Sequence, residues 1–272
     1  MEWTWKRSLI LLTTILMLYI VGVFYIYIFI DQITFSPTRL AKSHVYDIPF
    51  PHENFKISHP NHDSFEVFYF INQSPIKKGV VIFFYGAQKN AAYWSDHVQD
   101  FTSRGFDVMM PEYRGFGRSS GSPSEINWYE DALASFSWLK DQTREDSIII
   151  YGYGLGSVAS VYVGSLSSTR LILLENPVYG LREWISAKFP SLWLSFELKY
   201  DFNLYEYLPH CASPVYIVRS SNSKECTEEE ALALKKLLSD ESRYINFNIP
   251  KDKKLRDSEE FQNFLDQIIK PL

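Results

Sequence analysis

Residues 152–156 read Gly152, Tyr153, Gly154, Leu155, Gly156, between an apolar run at 147–151 and a helical pattern over about 156–166. Strand, tight glycine turn and helix in that order are the setting of a nucleophile elbow, G-x-S-x-G, which holds a serine hydroxyl in a strained turn at the helix N-terminus. The central position here is Gly154, which accepts such a backbone at no steric cost but brings no oxygen to attack a carbonyl. Glycine-rich turns of this kind also cradle phosphates in dinucleotide-binding folds, so the turn by itself leaves two chemistries open.

Other chemistry-bearing residues are scattered. Ser157, about one helical turn past the elbow, reads as a small packing residue. Glu175 ends a strand, where the crevice of an open α/β sheet falls. With no histidine beside it to orient, it reads as a structural hydrogen-bonder rather than a displaced acid. His97 falls in the middle of a helix expected over 91–104, roughly 9 Å below the helix start at 1.5 Å rise per residue, and His210 precedes its strand, at the wrong edge of the sheet. Neither is expected to reach the elbow. His59, His62 and Asp63 lie in a turn without the helical i, i+4 face of a zinc pair and read as a solvated turn. No pattern calls for a metal or a cofactor.

The elements that must position these residues follow from periodicity. Residues 53–58 and 64–71 have strand character about a turn at 59–63, an opening hairpin. Residues 80–85 form a continuous apolar run, as a strand covered on both faces requires. Then come the helix at 91–104, a strand at 106–110, a helix at 124–140, the strand at 147–151, the helix at 156–166 and a strand at 170–174. Strands separated by helices imply parallel crossovers. The aromatic-rich stretch 179–211 reads as a small cap or lateral helical segment. A strand at 214–219, a helix opened by the capping box Thr227 to Glu230, a strand at 244–249 and a final helix complete the pattern. In that helix Phe261, Phe264, Leu265, Ile268 and Ile269 share one apolar face.

Residues 8–30 carry no charge and are bounded by Lys6, Arg7 and Asp31, long enough to cross ~30 Å of hydrocarbon as a helix. A cleavable leader would have a shorter apolar core and a small-residue exit, so a retained membrane anchor over 1–31 is expected, with a single domain over 32–272. Trp3 and Trp5 stand where interfacial anchors belong. Lys6 and Arg7 abut the span more closely than Arg39 and Lys42, which tilts the domain toward the non-cytoplasmic side. The formal net charge of −5, with basic residues dispersed, excludes a nucleic-acid partner. Cys211 and Cys226 flank the 214–219 strand at opposite ends, roughly 20 Å apart, too far to bridge.

Taken together these residues resemble the membrane-anchored branch of the α/β-hydrolase superfamily, the serine-aminopeptidase-like esterases related to the bud-emergence and abhydrolase-domain proteins. The resemblance is carried by residues 35–40 (Phe-Ser-Pro-Thr-Arg-Leu), by Tyr85 and Gly86 where the family has His-Gly, and by residues 113–121 where it reads D-Y-R-G-x-G-x-S-x-G. The elbow and the run Leu174, Glu175, Asn176, Pro177 complete it. It implies an α/β-hydrolase fold: a mostly parallel sheet with helices on both faces, preceded by one transmembrane helix. Loop 114–121, despite a phosphate-binding look, would shape the sheet edge.

Position by position, the family serine falls on Gly154 and its acid on Ser223, and its histidine falls near Asp252, where the chain reads Pro250, Lys251, Asp252, Lys253. The family's oxyanion donors map onto the backbone N–H groups of Ala87 and Leu155. The expectation is a membrane-anchored, non-catalytic binding or regulatory protein, with the bilayer contacting 8–30 and a small acyl ligand or a protein as partner. The alternative is an esterase, acyl hydrolase or peptidase with a rearranged site.

Overall fold

A computed structural model describes residues 2–60, 63–190 and 197–269, with side chains from Trp5 onward. His62, the Trp3 side chain and residues 191–196 of the expected cap lie outside the described residues.

Eight strands form one sheet: β1 (His52–Ser58), β2 (Ser64–Phe70), β3 (Gly79–Phe84), β4 (Phe106–Glu112), β5 (Ile148–Tyr153), β6 (Leu171–Glu175), β7 (Val215–Ser220) and β8 (Tyr244–Phe247). Their order is β8-β7-β6-β5-β3-β4-β2-β1. The β1–β2 hairpin pairs antiparallel, as does β2 with β4, and every other neighbour is parallel. The apolar run in β3 is buried along its whole length at the centre of the sheet, as are β4 and β6. β1 alternates half-buried and exposed residues, as a strand at the edge does.

The long helices are α1 (Glu2–Thr34), α2 (Glu125–Lys140), α3 (Gly156–Ser165), α4 (Leu181–Lys188), α5 (Glu228–Lys235) and α6 (Glu259–Ile268). They cover both faces of the sheet. α3 packs so closely on one face that a Cβ on Gly164 would meet Ile172 Cδ1 at 2.3 Å. On the other face Phe101 lies against Tyr151, and Phe264 of α6 against Tyr216. The expected capping box on α5 forms, with Thr227 Oγ1 accepting from the Glu230 N–H and Glu230 accepting from the Thr227 N–H. Both cysteines are free thiols.

Two expectations change. The helix expected over 91–104 breaks into a turn at Ala91–Trp94, a 3-10 segment at Ser95–Val98 and a second turn at Gln99–Thr102. The apolar helix α1 continues to Thr34, past the boundary placed at residue 31. Of its 30 residues from Trp5, enough to cross a membrane, Ile26, Ile30 and Thr34 are buried one turn apart, and the helix kinks at Phe29. Its last two turns therefore pack on the domain. Asp31 adds an ion pair to Lys199 at 2.7 Å and accepts from the Tyr200 hydroxyl at 2.8 Å.

Candidate active site

The turn after β5 keeps the geometry of an elbow. A Cβ on Gly156 would stand 2.0 Å from the Phe84 carbonyl oxygen, and one on Gly152 would stand 2.3 Å from Ser160 Oγ, so both flanking glycines are fixed by close packing between strand and helix. Gly154 differs. Its φ is +54°, in the left-handed region, and the space beyond its Cα is open, with Glu225 Cγ at 3.8 Å as the nearest neighbour of an added Cβ. Its own N–H donates to the Glu175 carbonyl at 3.1 Å, tying the turn to β6. The strained conformation that would display a nucleophile is present, and a hydrogen atom occupies the displayed position.

A cavity of about 170 Å³ opens at this turn. Its aromatic and aliphatic wall includes Tyr93, Trp94, Tyr153, Val178, Leu181 and Trp184. Ala87 and Leu155 are also in the wall, and neither N–H donates to another described residue. The strand-like pair Ser36–Pro37 with Gln88–Lys89 holds the Ala87 loop, with the Ser36 N–H donating to the Ala87 carbonyl at 2.9 Å. Behind the loop, Glu112 accepts from the Tyr85 hydroxyl at 2.5 Å and from the Ala91 N–H at 3.0 Å. Burial pushes the Glu112 carboxyl up to about 7 despite those donors. Tyr85, at the family's histidine position before Gly86, is thereby committed to structure.

Beyond the cavity, sharing Tyr93, Trp94, Tyr153 and Glu225 with it, lies a more open cleft of about 470 Å³ at the carboxyl edge of the sheet. Ser223 is in its wall, its hydroxyl accepting from the Glu225 N–H at 3.2 Å. Asp252 is exposed and belongs to the wall of neither space, whereas its neighbours Lys253 and Lys254 line the cleft.

His97 requires a correction. The 3-10 break that ends the expected helix places its ring in the cleft beside Glu175. Its Nδ1 is 2.9 Å from the Tyr151 hydroxyl, which in turn donates to Glu175. Glu175 thus has a histidine within one hydroxyl of it, contrary to the sequence expectation. Burial pushes the Glu175 carboxyl up to about 7 and holds the His97 imidazole well below its usual range. Tyr151 was not singled out in the sequence, because a tyrosine inside an apolar strand has the signature of core.

The remaining candidates are structural. Ser157 is fully buried in α3, its hydroxyl unpartnered. His59 is not in a solvated turn: its Nε2 meets Asp131 at 2.9 Å, and Asp131 also takes the Arg114 Nε at 2.7 Å and the Arg114 N–H at 2.8 Å. That buried cluster fixes the start of loop 114–121 against α2. His210 is exposed before β7. Glu225 and Trp184, which sequence reasoning missed, meet over the elbow, Trp184 Nε1 donating to Glu225 at 2.9 Å.

Residues 79–200 match a family model described as the alpha/beta hydrolase fold. The chain is 34% identical over 97 residues to the alpha/beta hydrolase domain-containing protein aho-3 of Caenorhabditis elegans, covering 32% of this chain and 29% of that protein. It is 37% identical over 87 residues to the lysophosphatidylserine lipase ABHD12 of Xenopus tropicalis (30% and 22% covered). Over 173 residues it is 27% identical to the alpha/beta hydrolase domain-containing protein 17B of Homo sapiens (61% and 57% covered). The chain therefore spans between 22% and 57% of the length of these relatives. Among solved structures, the Pyrococcus furiosus esterase Pf2001 aligns with a TM-score of 0.66 at 15% identity, over 86% of this chain and 96% of that one. The acylaminoacyl peptidase of Pyrococcus horikoshii aligns at 0.58 and 17% identity, over 82% and 42%. These likenesses establish the fold.

Proposed function

We propose, taking as premise that this chain has the α/β-hydrolase fold on a membrane-anchoring helix, that it is a non-catalytic binding or regulatory protein whose ligand site is the elbow cavity. One observation carries the reading: Gly154 holds the left-handed turn of an elbow, over an open cavity, with no oxygen on it. Acyl transfer needs a nucleophile and a base within hydrogen-bond reach of each other. At the family's acid and histidine positions stand Ser223 and the loop around the exposed Asp252. What remains is suited to recognition: Ala87 and Leu155, whose N–H groups donate to no other described residue, share the cavity wall with Tyr93, Trp94, Tyr153 and Trp184, a setting suited to receiving a carbonyl without attacking it. The names of the relatives, lipase and esterase among them, support an acyl-bearing ligand. Lys6 and Arg7 abut the span whereas Arg39 and Lys42 lie further beyond it, which supports a domain on the non-cytoplasmic side, in which case proteinase K added to sealed microsomes leaves it intact.

The experiment is covalent labelling of the full chain in detergent micelles with a fluorophosphonate probe, followed by peptide mapping. We expect no adduct on the unaltered chain. A mapped serine adduct that disappears on heat denaturation before labelling overturns the reading. It would favour the competing one, a hydrolase with a rearranged site, whose specific support is the His97 ring lining the cleft.

A further inference from the structure

The loops at the family's acid and histidine positions both bring lysine to the cleft. Lys224 follows Ser223, Lys253 and Lys254 follow Asp252, and all three line the space of about 470 Å³ at the carboxyl edge of the sheet. None of the three forms an ion pair or a side-chain hydrogen bond with a described residue, whereas Lys77, Lys140, Lys199 and Lys235 each pair with a carboxylate. A single unpaired lysine on an open surface is merely solvated. Here three come from two loops to one concave space, and a cleft lined by one sign of charge concentrates the opposite ion.

Asn222 holds those two loops together. Its Nδ2 donates to the Pro250 carbonyl at 2.9 Å and to the Lys253 carbonyl at 3.1 Å, while its Oδ1 accepts from the Ser220 hydroxyl. Ser221 adds a second tie, its hydroxyl accepting from the Ile249 N–H at 2.9 Å. The charge of Lys254 is felt within the cleft, where burial first, then Arg256 and Lys254, hold the His97 imidazole well below its usual range. Arg256 is itself paired with Asp100, which leaves the lysines as the unpaired cations of the wall. Of the carboxyl groups there, Glu225 takes the Trp184 indole N–H, Glu175 is raised by burial to about 7, and Asp96 is exposed. The wall thus carries more positive than negative charge.

We propose that the cleft is a binding site for a phosphate group, held by Lys224, Lys253 and Lys254. The class follows from the donors: an ammonium is a point charge with three rotatable N–H groups, suited to the tetrahedral oxygens of a phosphate, and three of them balance a dianion better than a monoanion. The site goes beyond the elbow cavity and adjoins it. Because the two spaces share Tyr93, Trp94, Tyr153 and Glu225, a phosphate monoester with an apolar substituent spans both. Where the family moves a proton, this chain holds a charge.

The test uses the full chain in uncharged maltoside micelles, with inorganic phosphate and phenyl phosphate as probes, each titrated by phosphorus NMR at neutral pH. We expect both to bind saturably and to compete, with phenyl phosphate roughly three- to tenfold tighter through its ring on the shared aromatic wall. Equal affinities would make free phosphate, rather than an ester, the ligand of the same site. Lys224→Ala, Lys253→Ala and Lys254→Ala should each weaken phenyl phosphate roughly three- to tenfold. Lys251→Ala, an exposed lysine on the same loop but outside the cleft wall, should leave it within about twofold. All four side chains are exposed, so the variants should melt with the unaltered chain. Should one fail to fold, salt carries the test in the unaltered chain: affinity must fall as sodium chloride is raised. No saturable binding of either probe, undiminished affinity in the three cleft variants, an equal loss in Lys251→Ala, or affinity indifferent to salt each overturns the proposal. Phosphate binding requires neither a serine adduct nor a ligand in the elbow cavity, so this proposal and the reading of the cavity fail separately.

Discussion

The Tyr151 hydroxyl lies 2.9 Å from His97 Nδ1 while donating to Glu175, so one buried phenol joins an imidazole and a carboxyl that the sequence holds 78 positions apart. All three line or back the cleft at the carboxyl edge of the sheet. Their coupling is accessible to measurement.

Glu175 has its carboxyl raised to about 7, against an ordinary 4.5. Between those values the native state keeps a proton that the unfolded chain has released, so stability falls as pH rises through that window. Glu175→Gln removes this contribution. Relative to the unaltered chain, the variant should gain on the order of 1–3 kcal/mol in going from pH 4.5 to pH 8, read as a shift in urea midpoints for the full chain in detergent. A difference independent of pH would refute the assignment.

Tyr151→Phe leaves Glu175 without its hydroxyl donor and His97 Nδ1 without its partner. A loss of about 1–3 kcal/mol is expected, and because the groups form one chain, the loss should not add to that of Glu175→Gln. A double-mutant cycle that closes to within about 0.3 kcal/mol would show the contact to be energetically inert.

At the elbow, two glycines with a single residue between them should respond very differently. Gly154→Ser places its Cβ in open space and bears only the left-handed strain, about 1–2 kcal/mol. Gly156→Ala drives a Cβ to within 2.5 Å of two backbone carbonyl oxygens, Phe84 and Tyr85, and should cost more than about 3 kcal/mol. Thermal unfolding of both variants separates the cases, and equal losses would contradict this geometry.

Arg114 is almost wholly buried and is paired with Asp131, equally buried, and with Glu130, which is half exposed. Asp131→Asn strands the guanidinium and should cost about 3–5 kcal/mol, whereas Glu130→Gln should cost less than about 1 kcal/mol. If the two variants unfold at the same urea concentration, the buried pair does not hold loop 114–121.

Much of this was legible from the chain itself. The apolar span, the order of strands and helices, the capping box at Thr227 and the glycine spacing of the elbow all depend on neighbours within one or two turns, and local periodicity records those directly. The family resemblance located Gly154, Ser223, Asp252, Ala87 and Leu155, and the structure puts all but Asp252 in the wall of the cavity or the cleft. Tertiary structure alone decided the rest. His97 reaches Tyr151 because a helix breaks into a 3-10 turn, a choice made by packing against β5 that the sequence pattern does not record. Glu225 faces Gly154, and Thr34 enters the cavity wall, because the sheet brings together loops from distant strands and the kinked end of α1 docks beside them. Contacts of that kind form across long separations in sequence, where no periodicity reaches.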